Sequence, residues 1–186
     1  MIEDDTPPLP WAILGALGLS LVLCACDPMG GAVGNKAVPQ PAKTVDLGRY
    51  VGLWYELARY DNRFERGCEG VTAEYSPGDG GEIQVINTCH KGKPDGPAKT
   101  AKGRAAVVAG SGNAKLKVSF FGPFAGDYWV IDHAPDYVWS IVGEPSGRYL
   151  WLLSRMAKPP VATVEALYAR VHALGYDTAL IRPTRQ

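Results

Sequence analysis

Arg49-Tyr50-Val51-Gly52-Leu53-Trp54-Tyr55-Glu56-Leu57-Ala58-Arg59 is aromatic and apolar nearly throughout, and the run from Tyr50 to Tyr60 reads as a first β-strand. Strand-like segments and turn signals alternate after it. Val71 to Ser76 runs into Pro77-Gly78-Asp79-Gly80-Gly81, a strong turn, and Glu82 to His90 returns from it. Lys99 to Ala109 and Lys115 to Phe121 flank Gly110-Ser111-Gly112-Asn113, a second hairpin connection. Tyr128 to Asp132, Tyr137 to Val142 and Tyr149 to Ser154 follow. Between Pro160 and Gly175 the period changes: Val161, Val164, Leu167, Tyr168, Val171 and Leu174 recur at three- and four-residue spacing, an amphipathic helix that Gly175 stops. Eight strands joined as hairpins and followed by one helix predict an all-β fold, an eight-stranded up-and-down antiparallel barrel with a C-terminal α-helix packed outside. Such closure removes exposed strand edges and leaves room for one small ligand.

Upstream, Leu9 to Cys26 is almost continuously apolar and Asp27-Pro28 ends it. This run is short for a transmembrane helix and small residues crowd its exit, so a cleaved signal is predicted over 1–25. It opens on the acidic Met1-Ile2-Glu3-Asp4-Asp5 rather than on Lys or Arg. Leu23-Cys24-Ala25-Cys26 resembles a bacterial lipobox, which makes Cys26 the predicted site of lipidation and implies attachment to a membrane of the bacterial cell envelope, facing the periplasm. The outer membrane is the expected destination; Asp27, which resembles an inner-membrane retention residue, leaves the choice open. Residues 26–43, rich in Gly, Pro and Ala, read as a flexible tether, with the domain proper over 44–186. The whole chain has 19 Lys+Arg against 19 Asp+Glu. Losing Glu3, Asp4 and Asp5 with the leader leaves only a small cationic excess, too little for a nucleic-acid partner.

Three stretches resemble the lipocalin signatures. Gly52-Leu53-Trp54 matches the Gly-x-Trp that opens the first strand, Gly126-Asp127-Tyr128-Trp129-Val130 the late Asp-Tyr pair, and Leu153-Ser154-Arg155 the Arg that closes the last barrel strand. Arg63 to Gly67, Lys117 to Phe124 and Tyr149 to Arg155 are similar to the bacterial, apolipoprotein D-like subgroup. The resemblance covers about 45–182. It implies that Gly52, Trp54 and Arg155 form a structural barrel floor, the guanidinium lying across the indole. It also implies a lysophospholipid or fatty acid as ligand, a part in envelope maintenance or stress, and room for a homodimer.

Cys68 and Cys89 form an even pair in an exported domain. A hairpin centred between Gly78 and Asp79 sets Ser76 against Gly81, Thr72 against Val85 and Cys68 against Cys89, predicting a disulfide. The competing reading is a barrel enzyme acting on a lipid through a free Cys68 thiol or a pocket acid or base. His90, His133 and His172 have no metal-ligand spacing, Gly110-Ser111-Gly112 is a turn rather than a nucleophile elbow, and the acids are scattered. No cofactor, metal or catalytic group is therefore expected, and the chain reads as a binder. Tyr60, Phe64, Tyr75, Phe120, Trp129, Trp139 and Trp151 are the candidate pocket residues; several strands are apolar on both faces, so alternation does not say which face points inward.

Overall fold

Gly52 stands at the start of the wall with φ +97°, in a region that L side chains rarely adopt, and this lets the chain swing from a short helix into the first strand. The computed structural model describes residues 32–186, so the leader, Cys24 and Cys26 lie outside the described residues. The short helix α1 (Leu47–Tyr50), where a strand beginning at Tyr50 was expected, starts at Asp46, whose carboxylate accepts from the Arg49 N–H. The wall follows as β1 (Gly52–Tyr60), β2 (Cys68–Pro77), β3 (Ile83–Lys91), β4 (Ala98–Val107), β5 (Lys115–Phe121), β6 (Phe124–His133), β7 (Trp139–Gly143) and β8 (Leu150–Ser154). Each strand pairs antiparallel with the next, and β1 pairs with both β8 and β2, closing the barrel. Helix α2 (Val161–Ala173) and a short strand β9 (Ile181–Pro183) complete the fold.

The β9 strand was not foreseen, and it has a structural task. β1 stays with β2 only from Gly52 to Tyr55, then pairs through Ala58–Tyr60 with β9. The Gly70 N–H on β2 donates to the Arg185 carbonyl, and the Gln186 side-chain amide donates to the carbonyls of Glu56 and Val71. The C-terminus thus fills a gap where two wall strands part, which satisfies backbone groups that would otherwise be unpaired.

Two apolar clusters explain the strands that are apolar on both faces. Tyr50, Trp54, Tyr75, Ile83, Val85, Leu116, Val130, Val142 and Leu153 pack inside the barrel. Ala58, Tyr60, Ile131, Ile141, Leu150 and Leu152 face outward and pack with Leu167 and Val171 of α2 and with Tyr176.

The β2–β3 register corrects the expectation. The turn is wider than a two-residue hairpin: Asp79–Gly81 form one 3-10 turn, Gly80 and Gly81 both have positive φ, and Gly78 N–H closes on Glu82 O. Tyr75 therefore faces Val85, and after an irregularity between Glu69 and Thr72 Cys68 faces Lys91. The disulfide still forms, diagonally, joining Cys68 to Cys89 with their Cα atoms 5.2 Å apart. Linking residues 21 apart contributes about 3 kcal/mol in the chain-entropy account.

The segment expected to be a free tether is strapped to the barrel from Gly34 onward. Gly34 and Asn35 N–H donate to Gly147 O, Asp177 N–H donates to Gly34 O, and Lys43 pairs with Asp132 at 2.7 Å. A Cβ on Gly147 would fall 1.8 Å from Asn35 O, so only glycine admits the crossing.

At the closed end Arg155 holds α1 against the wall. Its guanidinium carbon sits 3.8 Å from the Trp54 ring centroid. Nη1 donates to Leu53 O and Nη2 reaches the carbonyls of Arg49, Tyr50 and Val51, at 2.7–3.0 Å. The fork geometry is what a lysine lacks. Arg155→Ala is expected to lower the free energy of unfolding by about 3 kcal/mol, from lost charge-assisted bonds and the cation–π contact, and Arg155→Lys to recover less than about half. Denaturant unfolding followed by tryptophan fluorescence measures both.

Candidate ligand site

The barrel interior holds a packed lower layer and a buried polar cluster, and an open recess lies on the wall of β3, β4 and β5. In the lower layer, just above Trp54, three phenols meet. Tyr50 Oη lies 3.0 Å from both Tyr128 Oη and Ser140 Oγ, and Tyr75 Oη 2.9 Å from Tyr128 Oη. Burial pushes the Tyr50 hydroxyl up to about 12 and raises those of Tyr75 and Tyr128 well above the ordinary tyrosine value, so all three are neutral donors and acceptors near neutral pH. The void they share with Leu47, Val51, Ile83 and Leu116 is about 10 Å³, room for about one water and no ligand.

The polar cluster comes from the irregularity of β1 between Glu56 and Ala58, which lets Glu56 and Arg59 both face inward while Ala58 packs outward. Arg59 Nη1 donates to Glu56 and to the Thr184 hydroxyl, and Nη2 to the carbonyls of Glu65 and Cys68. Glu65, from the β1–β2 connection, accepts from the Trp151 indole N–H at 2.9 Å. Two carboxylates thus share one guanidinium in a site where Glu56 and Arg59 are almost wholly buried. Burial and the neighbouring Glu65 push Glu56 up to about 8, against the pull of Arg59. Among the described residues, Arg59 Nε and Asn87 Oδ1 are buried polar atoms with no hydrogen-bond partner.

The recess lies beside the tip of the β5–β6 hairpin, has a volume of about 700 Å³ and is open to solvent over much of its extent. Val85, Ile86, Phe120 and Phe121 give it apolar lining, and Lys102 and Arg104 bring cations. The Phe120 ring packs closely over Gly103, where a Cβ would fall 2.7 Å from that ring and 2.6 Å from Ser119 O.

Of the seven residues expected to line a pocket, Phe120 lines this recess and Trp151 sits in the interior on Glu65. Tyr75 belongs to the packed layer. Phe64 is exposed at the open end, its ring stacked 5.5 Å from Tyr149. Tyr60, Trp129 and Trp139 are corrected: they lie in or against the outer cluster, because β6–β8 and the end of β1 carry apolar residues for α2 as well as for the interior. Sequence reasoning missed Glu56, Arg59 and Glu65. A Glu and an Arg three apart inside an apolar strand were the available signal. Cys68, considered there as a free thiol, is bonded to Cys89.

Residues 45–186 match the Lipocalin-like domain family. The chain is 38% identical over 159 residues to the Outer membrane lipoprotein Blc of Vibrio cholerae, covering 85% of this chain and 92% of that one. It is 49% identical over 135 residues to the Blc of Escherichia coli (strain K12), covering 72% and 75%. It is 32% identical over 145 residues to Apolipoprotein D of Macaca fascicularis, covering 73% and 74%. Among solved structures, insecticyanin from the tobacco hornworm Manduca sexta superposes with a TM-score of 0.65 at 20% identity, covering 84% of this chain and 90% of that one, a likeness of fold.

The Glu56 carboxyl gives the site a pH dependence of defined sign. Its folded-state pKa lies above the unfolded one, so its stabilising contribution is complete below about 4.5 and declines as pH rises to about 8, where an unneutralised charge appears in the interior. Glu56→Gln keeps an acceptor for Arg59 and Thr184 but has no proton to lose. Its unfolding free energy, measured across that window, is expected to fall less steeply with pH than that of the parent chain.

Proposed function

This chain belongs to the lipocalin family, and on that premise we propose that it is a lipid-anchored lipocalin of the bacterial envelope that binds an amphiphile reversibly and without catalysis, a lysophospholipid or a fatty acid. The recess carries the reading: about 700 Å³ with apolar lining and Lys102 and Arg104 at hand. An acyl chain against Ile86 and Phe121 and an anionic headgroup near the two cations, which share their face of the wall, satisfy both kinds of surface. Cys26 would hold the lipid anchor, and the relatives named as outer membrane lipoproteins favour an outer-membrane location facing the periplasm. Several acyl chains on one residue give lasting attachment where one would not.

Native mass spectrometry of the protein taken from its source is expected to find one acyl-chain ligand per barrel. In vitro, Lys102→Glu combined with Arg104→Glu is expected to weaken binding of a fluorescent fatty acid about tenfold while leaving an uncharged apolar dye unaffected. Equal loss for both probes means the cations do not face the headgroup; no binding of either means the barrel is not a lipid container. Metabolic labelling with an alkyne fatty acid is expected to mark the chain and to fail in Cys26→Ser.

A further inference from the structure

The connections β1–β2, β3–β4, β5–β6 and β7–β8 all lie at one end of the barrel, the mouth, opposite the Trp54–Arg155 floor. Three of the four phenylalanines in the chain are exposed there: Phe64 by 61%, Phe121 by 79% and Phe124 by 81%. Phe121 and Phe124 face each other across Gly122-Pro123 at the tip of the β5–β6 hairpin, and Ser119 Oγ donates to Gly122 O, tightening the tip. Neither ring packs into a core, and each leaves most of its apolar surface in water. Arg63, Arg66, Lys91 and Lys93 are exposed in or beside the mouth connections, Lys102 and Arg104 are exposed beside Phe121, and Asp61 and Asp95 are exposed acids of the same connections. Aromatic tips amid cations suit the interface of a bilayer with anionic headgroups.

The path of the N-terminus supplies the occupant. Gly34 and Asn35 are bonded to Gly147 in the β7–β8 connection, at the mouth. The strap then runs the length of the wall to Lys43 at Asp132 and His133, and to Val45 at Gly112, at the closed end. The chain before Gly34 therefore departs from the mouth. Cys26 stands eight residues earlier, and eight extended residues span at most about 29 Å. An anchor on Cys26 would be joined to the barrel at its mouth.

We propose that the open end of the barrel docks on the bilayer, with Phe121 and Phe124 inserted at the headgroup–acyl boundary. An amphiphile then passes between the membrane and the recess, which begins at Phe120 and Phe121, without crossing water. The proposal rests on the anchored, lipid-binding reading above and adds an orientation and an insertion site to it.

The test uses the full chain in vesicles of phosphatidylethanolamine and phosphatidylglycerol, with an environment-sensitive dye on Phe124→Cys or, as a control at the closed end, on Asp79→Cys. The dye on Phe124→Cys is expected to shift to the blue and be quenched by lipids brominated near the headgroup, and the dye on Asp79→Cys to do neither. Phe124→Ser is expected to slow transfer of a fluorescent fatty acid from vesicle to barrel about tenfold. Quenching only at Asp79→Cys, or at neither site with the protein retained on the vesicles, overturns the proposal and leaves the anchored-binder reading intact. If the chain proves to carry no lipid, the same dyes read docking from solution with excess vesicles: quenching at Phe124→Cys supports the docking face, silence overturns it. Quenching at Phe124→Cys in a chain that binds no fatty acid retains the docking face and removes the carrier reading. A concentration-dependent blue shift without vesicles assigns the patch to a second copy and overturns the proposal.

Discussion

The stacking of Arg155 on Trp54 is the contact on which the barrel's shape depends. One side chain on the chain leaving β8 donates to four carbonyls of the chain entering β1 and covers an indole that is wholly buried. It joins the two ends of the wall at the point where closure must be made, and it fixes α1 as a plug. From that plug Tyr50 reaches up to Tyr128 and Ser140, so the packed phenol layer rests on the floor. A barrel closed this way has no play at its lower end, and variation in width or content is left to the mouth.

The mouth is built on different terms. β1 and β2 part after Tyr55, and the gap is filled by the C-terminal residues rather than by wall strands. The polar cluster sits beside that junction: Thr184 follows β9 and bonds Glu56 and Arg59, and the Gln186 amide spans β1 and β2. Burying a carboxylate and a guanidinium costs several kcal/mol in desolvation, and the rise of Glu56 to about 8 means that their pairing does not offset it fully. What the pair contributes is position, since Arg59 ties β1 to the carbonyls of Glu65 and Cys68 and so draws the β1–β2 connection over the opening.

Much of the barrel was legible because its signals are local. The glycine-rich turns, the Gly52-x-Trp54 start and the helical spacing of Leu167 and Val171 each depend on a few neighbouring residues, and each is found in the structure. The β2–β3 register was misjudged for an equally local reason: Pro77 to Glu82 offers several glycine turns, and the one adopted is wider than two residues. The cysteines joined regardless, since neighbouring positions on paired strands are within reach even when they are not opposite. The pocket was less legible. Tyr60, Trp129 and Trp139 are as apolar and aromatic as Phe120 and Trp151, and only the docking of α2 and Tyr176 tells the outer set from the inner. Glu56 and Arg59 escaped because the strand irregularity that turns both inward leaves no mark in the residue types.

Floor and mouth together give the molecule a polarity that composition conceals. The chain as a whole is electrically balanced, yet its exposed phenylalanines gather at one end and its sealing contacts at the other. The strap from Gly34 to Val45 links the two, held at Gly147 by a crossing that tolerates only glycine. Because that crossing lies at the mouth, the direction in which the chain leaves the barrel is set by the same β7–β8 connection whose Tyr149 stacks on Phe64. A carrier that exchanges an insoluble amphiphile gains most when its opening and its attachment share an end. Here a single glycine, one carbonyl and two N–H groups set the opening and the departing N-terminal segment at the same end.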